Sequence, residues 1–242
     1  MNALKCVKFY FLKKNSFPPI AKQIPKELLA HNDIRIDNYF WLNNRENPEV
    51  IQYLDEENTY CDSKLKHTEQ LQKDLFDEMK ARIKEDDESV PYKYNGYWYI
   101  VKFEIGKDYP IYLRRKDSLK APDELLFDCN KMAEGHSYFK LTGISISPDN
   151  TKVSYGLDTL GRRQYTIHIK DLNTNQVFPE RIENTTGSSS WANDNKTLFY
   201  ALKNEQTLRS ENVYKHTLNN NPETDQLVFH EEDDTFNVSV YK

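Results

Sequence analysis

Polar turns spelled Asp-Asn alternate with short apolar, aromatic runs through the second half of this 242-residue chain, and they do so at a fixed interval. The string Ser147-Pro148-Asp149-Asn150-Thr151-Lys152-Val153-Ser154-Tyr155 recurs 45 residues later as Ala192-Asn193-Asp194-Asn195-Lys196-Thr197-Leu198-Phe199-Tyr200, with Asp, Asn and Tyr in register. Each copy is followed by a second strand-like run and another polar turn: residues 164–169 before Asp171-Leu172-Asn173-Thr174-Asn175, and residues 212–217 before Leu218-Asn219-Asn220-Asn221-Pro222. A looser copy comes earlier, as Asn95-Gly96-Tyr97-Trp98-Tyr99-Ile100-Val101, Tyr109-Pro110-Ile111-Tyr112-Leu113-Arg114-Arg115 and Leu125-Leu126-Phe127. Strict alternation is weak in these runs. The strand assignment therefore rests on enrichment in Tyr, Val, Ile, Thr and Trp between Asn, Asp, Gly and Pro. A four-stranded propeller blade takes roughly 40 to 50 residues, and a unit that cannot bury its own faces must repeat. The pattern predicts an incomplete β-propeller of about two to three blades over residues 89–242; a β-sandwich with similar turn spelling is the alternative.

Ahead of the repeats the period changes to that of a helix. Asn47 is placed to cap, Pro48 suits the first helical position and Glu49 faces the positive end of the helix dipole. Val50, Ile51, Leu54, Cys61 and Leu65 follow at helical spacing, and Leu71, Leu75, Phe76, Met79 and Ile83 continue it after Thr68, a second candidate cap. Each helix offers one apolar stripe that needs a covering layer. The acidic run Glu85-Asp86-Asp87-Glu88 reads as a solvated connector. The fold class expected is mainly β with N-terminal helices, divided into a variable tail (1–17), an extended and helical segment (18–88) and the incomplete propeller (89–242).

Composition narrows the chemistry. A net charge of −5 argues against a nucleic-acid partner, which calls for a basic face. Sixteen Tyr, twelve Phe and three Trp supply a core suited to stacked sheets. Cys6, Cys61 and Cys129 have no paired spacing, so reduced thiols are expected, with neither a zinc site nor a disulfide framework. The apolar run Phe9-Tyr10-Phe11-Leu12 is flanked by lysines and too short for a membrane span, which needs roughly 20 apolar residues; a cytoplasmic setting follows. No G-x-S-x-G is present. The nearest strings, Gly143-Ile144-Ser145-Ile146-Ser147 and Gly187-Ser188-Ser189-Ser190, read as strand and loop. The six histidines show no metal-binding spacing, and His168 and His216 sit at similar places in successive repeats, which suggests a structural or surface role. Glu231-Glu232-Asp233-Asp234 reads as a solvated hairpin tip. No phosphate-cradling glycine loop occurs, and no cofactor, metal or catalytic residue is expected in the chain.

One segment is more specific. Asp33-Ile34-Arg35-Ile36-Asp37-Asn38-Tyr39-Phe40-Trp41-Leu42 is a polar, extended stretch ending in an aromatic cluster that would pack against a neighbouring layer. Together with Arg45-Glu46-Asn47-Pro48-Glu49-Val50, Arg82-Ile83-Lys84-Glu85-Asp86-Asp87, Gly96-Tyr97-Trp98-Tyr99, Ala133-Glu134-Gly135-His136 and Trp191-Ala192-Asn193-Asp194, it resembles the opening region of the oligopeptidase B group within the prolyl oligopeptidase family of serine peptidases. The resemblance runs from about Pro18 onward. It implies a seven-bladed propeller coupled to an α/β-hydrolase domain, with the propeller limiting which peptides reach a Ser-Asp-His triad between them. It also implies that the segment containing Tyr39, Phe40, Trp41 and Leu42 packs on the hydrolase part; His136, which follows Glu134-Gly135 in the family-like segment, is a candidate for the inter-domain cavity, with an ordinary loop histidine as the alternative. On this reading the chain is the opening portion of such an enzyme, ending at residues 235–242 within the first strand of a further blade, and is inactive alone. The partners implied are the remaining blades, the hydrolase domain and short basic peptides cleaved after Arg or Lys. The rival reading is a non-catalytic propeller module that binds peptides or proteins.

Overall fold

A computed structural model describes residues 17–242. Cys6, the run at residues 9–12 and all but the last residue of the expected tail lie outside the described residues. The chain forms two compact units, one running to Ile83 and one spanning Lys84–Lys242.

In the first unit, β1 (Lys26–Ala30) pairs antiparallel with β2 (Asp33–Asp37). His31 and Asn32 join them at φ 51° and 61°, the two left-handed residues of the tight turn that matches strand twist. The stretch read from sequence as simply extended is thus half of a hairpin. A 3-10 turn at Phe40–Asn43 leads to α1 (Pro48–Leu65) and, after a second 3-10 turn at Lys66–Thr68, to α2 (Glu69–Ala81). The Asn47 carboxamide accepts from the Glu49 N–H at 2.9 Å, with Pro48 opening the helix as expected. Thr68 does not cap α2. Its backbone is already helical (φ −100°, ψ −2°), whereas a cap needs an extended one, and its hydroxyl donates backward to the Leu65 carbonyl at 2.7 Å.

The second unit opens with a four-stranded antiparallel meander: β3 (Tyr92–Tyr94), β4 (Tyr97–Lys102), β5 (Ile111–Lys116) and β6 (Glu124–Asp128). A one-turn helix, α3 (Cys129–Met132), leads to seven further strands hydrogen-bonded in chain order: β7 (Lys140–Ile146), β8 (Lys152–Asp158), β9 (Tyr165–Asp171), β10 (Ile182–Trp191), β11 (Thr197–Lys203), β12 (Ser210–Thr217) and β13 (Gln226–His230). β10 serves twice. Its first half pairs with β9 (Ile182 with Ile167, Thr185 with Tyr165), Thr185 also meeting Leu202 of β11, and its second half pairs with β11 alone (Ser189 with Tyr200, Trp191 with Leu198). Gly187, at φ 85°, stands at the changeover. The long sheet is therefore two meander units sharing one strand.

Packing explains why the units repeat. One buried cluster joins Leu126 and Phe127 of the first meander to Leu141, Val153 and Tyr155 of the next. A second joins Ile167, Ile169 and Ile182 to Trp191, Leu198 and Tyr200. Each unit's apolar face is covered by its successor, which is the condition that makes a solenoid or propeller repeat obligatory.

Four expectations need correction. The repeat runs past two to three blades: three four-stranded units are complete by His230, and the stretch at residues 238–242 continues along the third. That stretch is not a paired strand: it is tied by the Val238 N–H to the Ser210 carbonyl at 2.8 Å, and a ladder needs a neighbour along its length. Nor is residues 231–234 a hairpin tip, because no strand follows it; Arg209 holds it by donating to the carbonyls of Glu231, Asp233 and Phe236. Finally, His168 and His216 are not equivalent. Tyr155 faces His168 and its repeat partner Tyr200 faces Tyr214, so His216, opposite Leu198, occupies the place held by Lys170 opposite Val153. Counting residues misses the offset because the β11–β12 pairing carries a register shift between Leu202 and Lys203 that the β8–β9 pairing lacks.

Candidate functional site: an inner cleft without catalytic groups

β3 and β7 are edge strands of their sheets, and the second half of β10 pairs only on its β11 side. These three strands, with residues 240–242, border a cleft of about 490 Å³. Gly143 and Gly187, both left-handed at φ 62° and 85°, allow β7 and β10 to approach there; a Cβ on Gly156 would sit 2.5 Å from the Gly187 Cα. The two strings that came nearest to a nucleophile motif are thus the two sides of a backbone contact.

Aromatic rings and hydroxyls line the cleft. Tyr92 stacks on Tyr99 with centroids 5.2 Å apart, and burial raises the pKa of both phenols, Arg114 opposing it at Tyr99. Arg114 lies across the strand from Tyr99 and over the Tyr97 ring at 4.1 Å; it donates to Glu124 at 2.8 Å and to the Asn150 carbonyl at 3.1 Å. On the opposite wall Ser154 and Ser189 share a hydroxyl hydrogen bond at 2.9 Å, and the Trp191 indole donates to the Ser145 carbonyl at 3.0 Å. Among the described residues only Lys242 brings a charge to the cleft lining, its ammonium donating to the Trp191 carbonyl at 3.2 Å. With no imidazole or carboxylate among the described residues that line it, the cleft offers contact surface and hydrogen bonds but no general base for a serine from those residues.

A relay-like cluster lies elsewhere, buried in the third meander. His216 Nδ1 is 2.8 Å from Asp225 Oδ1, and the Tyr200 hydroxyl donates to Asp225 Oδ2 at 2.9 Å. Burial, reinforced by the Asp225 charge, pushes the Tyr200 phenol far up. His216 is fully buried and its Nε2 has no partner, so the cluster holds structure rather than meeting a substrate. Among the described residues no group of three or more His, Cys, Asp or Glu side chains is arranged to hold a metal ion, and no helix is long and apolar enough to cross a membrane.

His136 is exposed after α3, its ring tilted 6.5 Å from that of Phe139, and it does not line the cleft. Tyr39, Phe40, Trp41 and Leu42 belong to the first unit, where the Trp41 indole donates to the Lys22 carbonyl at 2.9 Å and the Lys26 ammonium sits 3.5 Å over the Phe40 ring. Tyr92 and Tyr94 escaped the sequence reading. Their signal was the tyrosine spacing of two at a strand edge, which places both on one face.

The comparisons agree with this architecture. A family model described as prolyl oligopeptidase, N-terminal beta-propeller domain, matches residues 18–242. The chain is 38% identical over 240 residues to dipeptidyl aminopeptidase BI of Pseudoxanthomonas mexicana, covering 92% of this chain and 33% of that protein. It is 33% identical over 231 residues to protease 2 of Moraxella lacunata, covering 93% and 33% respectively. Among solved structures, oligopeptidase B from Leishmania major superposes with a TM-score of 0.85 at 29% identity, over 93% of this chain and 34% of that one. The chain thus spans about a third of the length of the relatives it matches. A repeat-built sheet with mutually covering units, a cleft without catalytic groups and a match over residues 18–242 lead to one assignment: this chain belongs to the prolyl oligopeptidase family, of which it carries the N-terminal β-propeller domain.

Proposed function

We propose that this chain is the access-controlling part of an oligopeptidase B-type serine peptidase, its meanders being blades of the propeller. In that enzyme short peptides are cut on the carboxyl side of Arg or Lys by a triad on an α/β-hydrolase domain outside these residues. Tyr39, Phe40, Trp41 and Leu42 then pack on that domain, and His136 faces the cavity between the two parts. The observation that carries the reading is the chemistry of the inner cleft: rings, hydroxyls and strand edges that can hold or exclude a peptide, with nothing that can cleave one. The setting expected is cytoplasmic.

A second specificity has a motive of its own. The 38% identity to dipeptidyl aminopeptidase BI favours an enzyme that releases dipeptides rather than one that cuts after basic residues. The purified 242-residue chain should not hydrolyse a fluorogenic Arg-terminated peptide, and reading the coding sequence past Lys242 should recover further blades and a Gly-x-Ser-x-Gly. Hydrolysis by the chain alone, abolished by a serine-directed inhibitor, would overturn the proposal. The ratio of Arg-amide cleavage to dipeptide release by the complete protein decides between the two specificities.

A further inference from the structure

The repeated Asp-Asn turns do more than reverse the chain. Asn95, Asn150 and Asn195 occupy the turn of successive units with left-handed backbones, at φ 45°, 62° and 59°, a conformation that Asn tolerates better than most residues. In each case the side chain bonds to the turn of a neighbouring unit. Asn95 Nδ2 donates to the Pro148 carbonyl at 2.7 Å, and Asn150 Nδ2 donates back to the Asn95 carbonyl at 3.1 Å. One unit further on, Asn195 Oδ1 accepts from the Asp149 N–H at 2.9 Å. Asn150 and Asn195, which are 45 residues apart and in register, therefore make the same backward connection, each to the unit before it. In the same turn as Asn195, the Asn193 Oδ1 accepts from the Lys242 ammonium at 2.5 Å.

These bonds stand at the rim of the inner cleft. Tyr94, beside Asn95, lines it, as do Pro148 and Lys242. The apolar clusters hold the faces of successive units together, whereas the turn bonds join the hairpin turns next to the cleft-lining Tyr94 and Pro148. We propose that the turn asparagines form a latch that ties consecutive blades at this rim, and that releasing it widens the inner cleft without unfolding the blades. The latch is a conformational device, independent of whether the complete protein cuts after basic residues.

The two links have opposite polarity, and that supplies the test. Asn150 donates, so Asn150→Asp replaces its donor with a second acceptor facing the Asn95 carbonyl. Asn195 accepts, so Asn195→Asp keeps the oxygen that matters, while Asn195→Gly removes it and retains a left-handed turn. Hydrogen exchange on the full chain reads the outcome at β3 and β7, which border the cleft, against β12, which does not. A hydrogen bond contributes about 1 kcal/mol net, equivalent to about fivefold in an opening equilibrium. Asn150→Asp and Asn195→Gly should each speed exchange at β3 and β7 about fivefold and leave β12 unchanged, with Asn195→Asp within about twofold of the natural chain. Equal behaviour of Asn195→Asp and Asn195→Gly would overturn the latch, as would acceleration spread evenly to β12 or none at all. If Asn150→Asp does not fold, Asn95→Gly breaks the same pair of turns from the other side and is read against the same strands.

Discussion

A Cβ built on Gly143 would lie 2.0 Å from the carbonyl oxygen of Gly187, so two strands that are not hydrogen-bonded partners meet backbone to backbone. At Gly187 the conflict is double, because an added Cβ would also come within 2.6 Å of Thr142 Cγ2 and 2.8 Å of the Tyr165 ring. Gly187→Ala is expected to destabilise by about 3 kcal/mol or more, since left-handed strain and overpacking act together. Gly135→Ala is the control: it has a similar φ of 83° but open space around it, and should cost about 1 kcal/mol. Denaturant midpoints of the two variants check the contrast, and equal shifts would contradict the close-approach argument.

Asp225 is the shared acceptor of two buried groups. Asp225→Ala leaves both the His216 imidazole and the Tyr200 hydroxyl without their partner in a dry site, and the expected loss is about 3 to 5 kcal/mol. Asp225→Asn keeps an acceptor for one of them and should cost clearly less. Urea unfolding of the pair measures the difference.

His168 makes the fold acid-sensitive. It stacks on Tyr155 at 5.5 Å, and burial with help from the Arg181 charge lowers its pKa to about 4. Between that value and the ordinary histidine value of about 6.5 the unfolded chain binds a proton that the folded chain refuses, so stability falls as the pH falls through this window. His168→Phe should flatten the slope of stability against pH between about 4 and 6.5. An unchanged slope would show that the imidazole is not kept neutral.

The two described cysteines should differ in reactivity. Cys129 is 1% exposed, and burial pushes its thiol up to about 12, whereas Cys61 is exposed on α1. Alkylation of the native chain at pH 8, mapped by mass spectrometry, should modify Cys61 and spare Cys129 until denaturant is added. Early modification of Cys129 would indicate that the α3 region opens locally.

Much of this protein was legible in its residue order, because the signals concerned are local. A left-handed Asn, an Asn-Pro helix start and an Asp-Asn turn before a Tyr-rich run act within a few residues of themselves. The repeat, the first helix cap and the family resemblance accordingly all appear in the fold. Thr68 marks the limit of such reasoning: it has a capping side chain, but the preceding turn already holds its backbone in the helical region.

Spatial relationships were decided elsewhere. That Gly143 meets Gly187, that β10 belongs to two units, that Arg209 gathers the carbonyls of residues 231–236 and that Asn195 reaches the turn of the preceding unit are facts about segments brought together by burial. Chain order alone determined which stretches turn, which extend and how often the unit recurs, since backbone preference and side-chain patterning act over short range. Only the packed structure decided which edges face the cleft and which turns join, because register and face pairing follow from covering apolar surface between units, a long-range condition that many local patterns satisfy equally well.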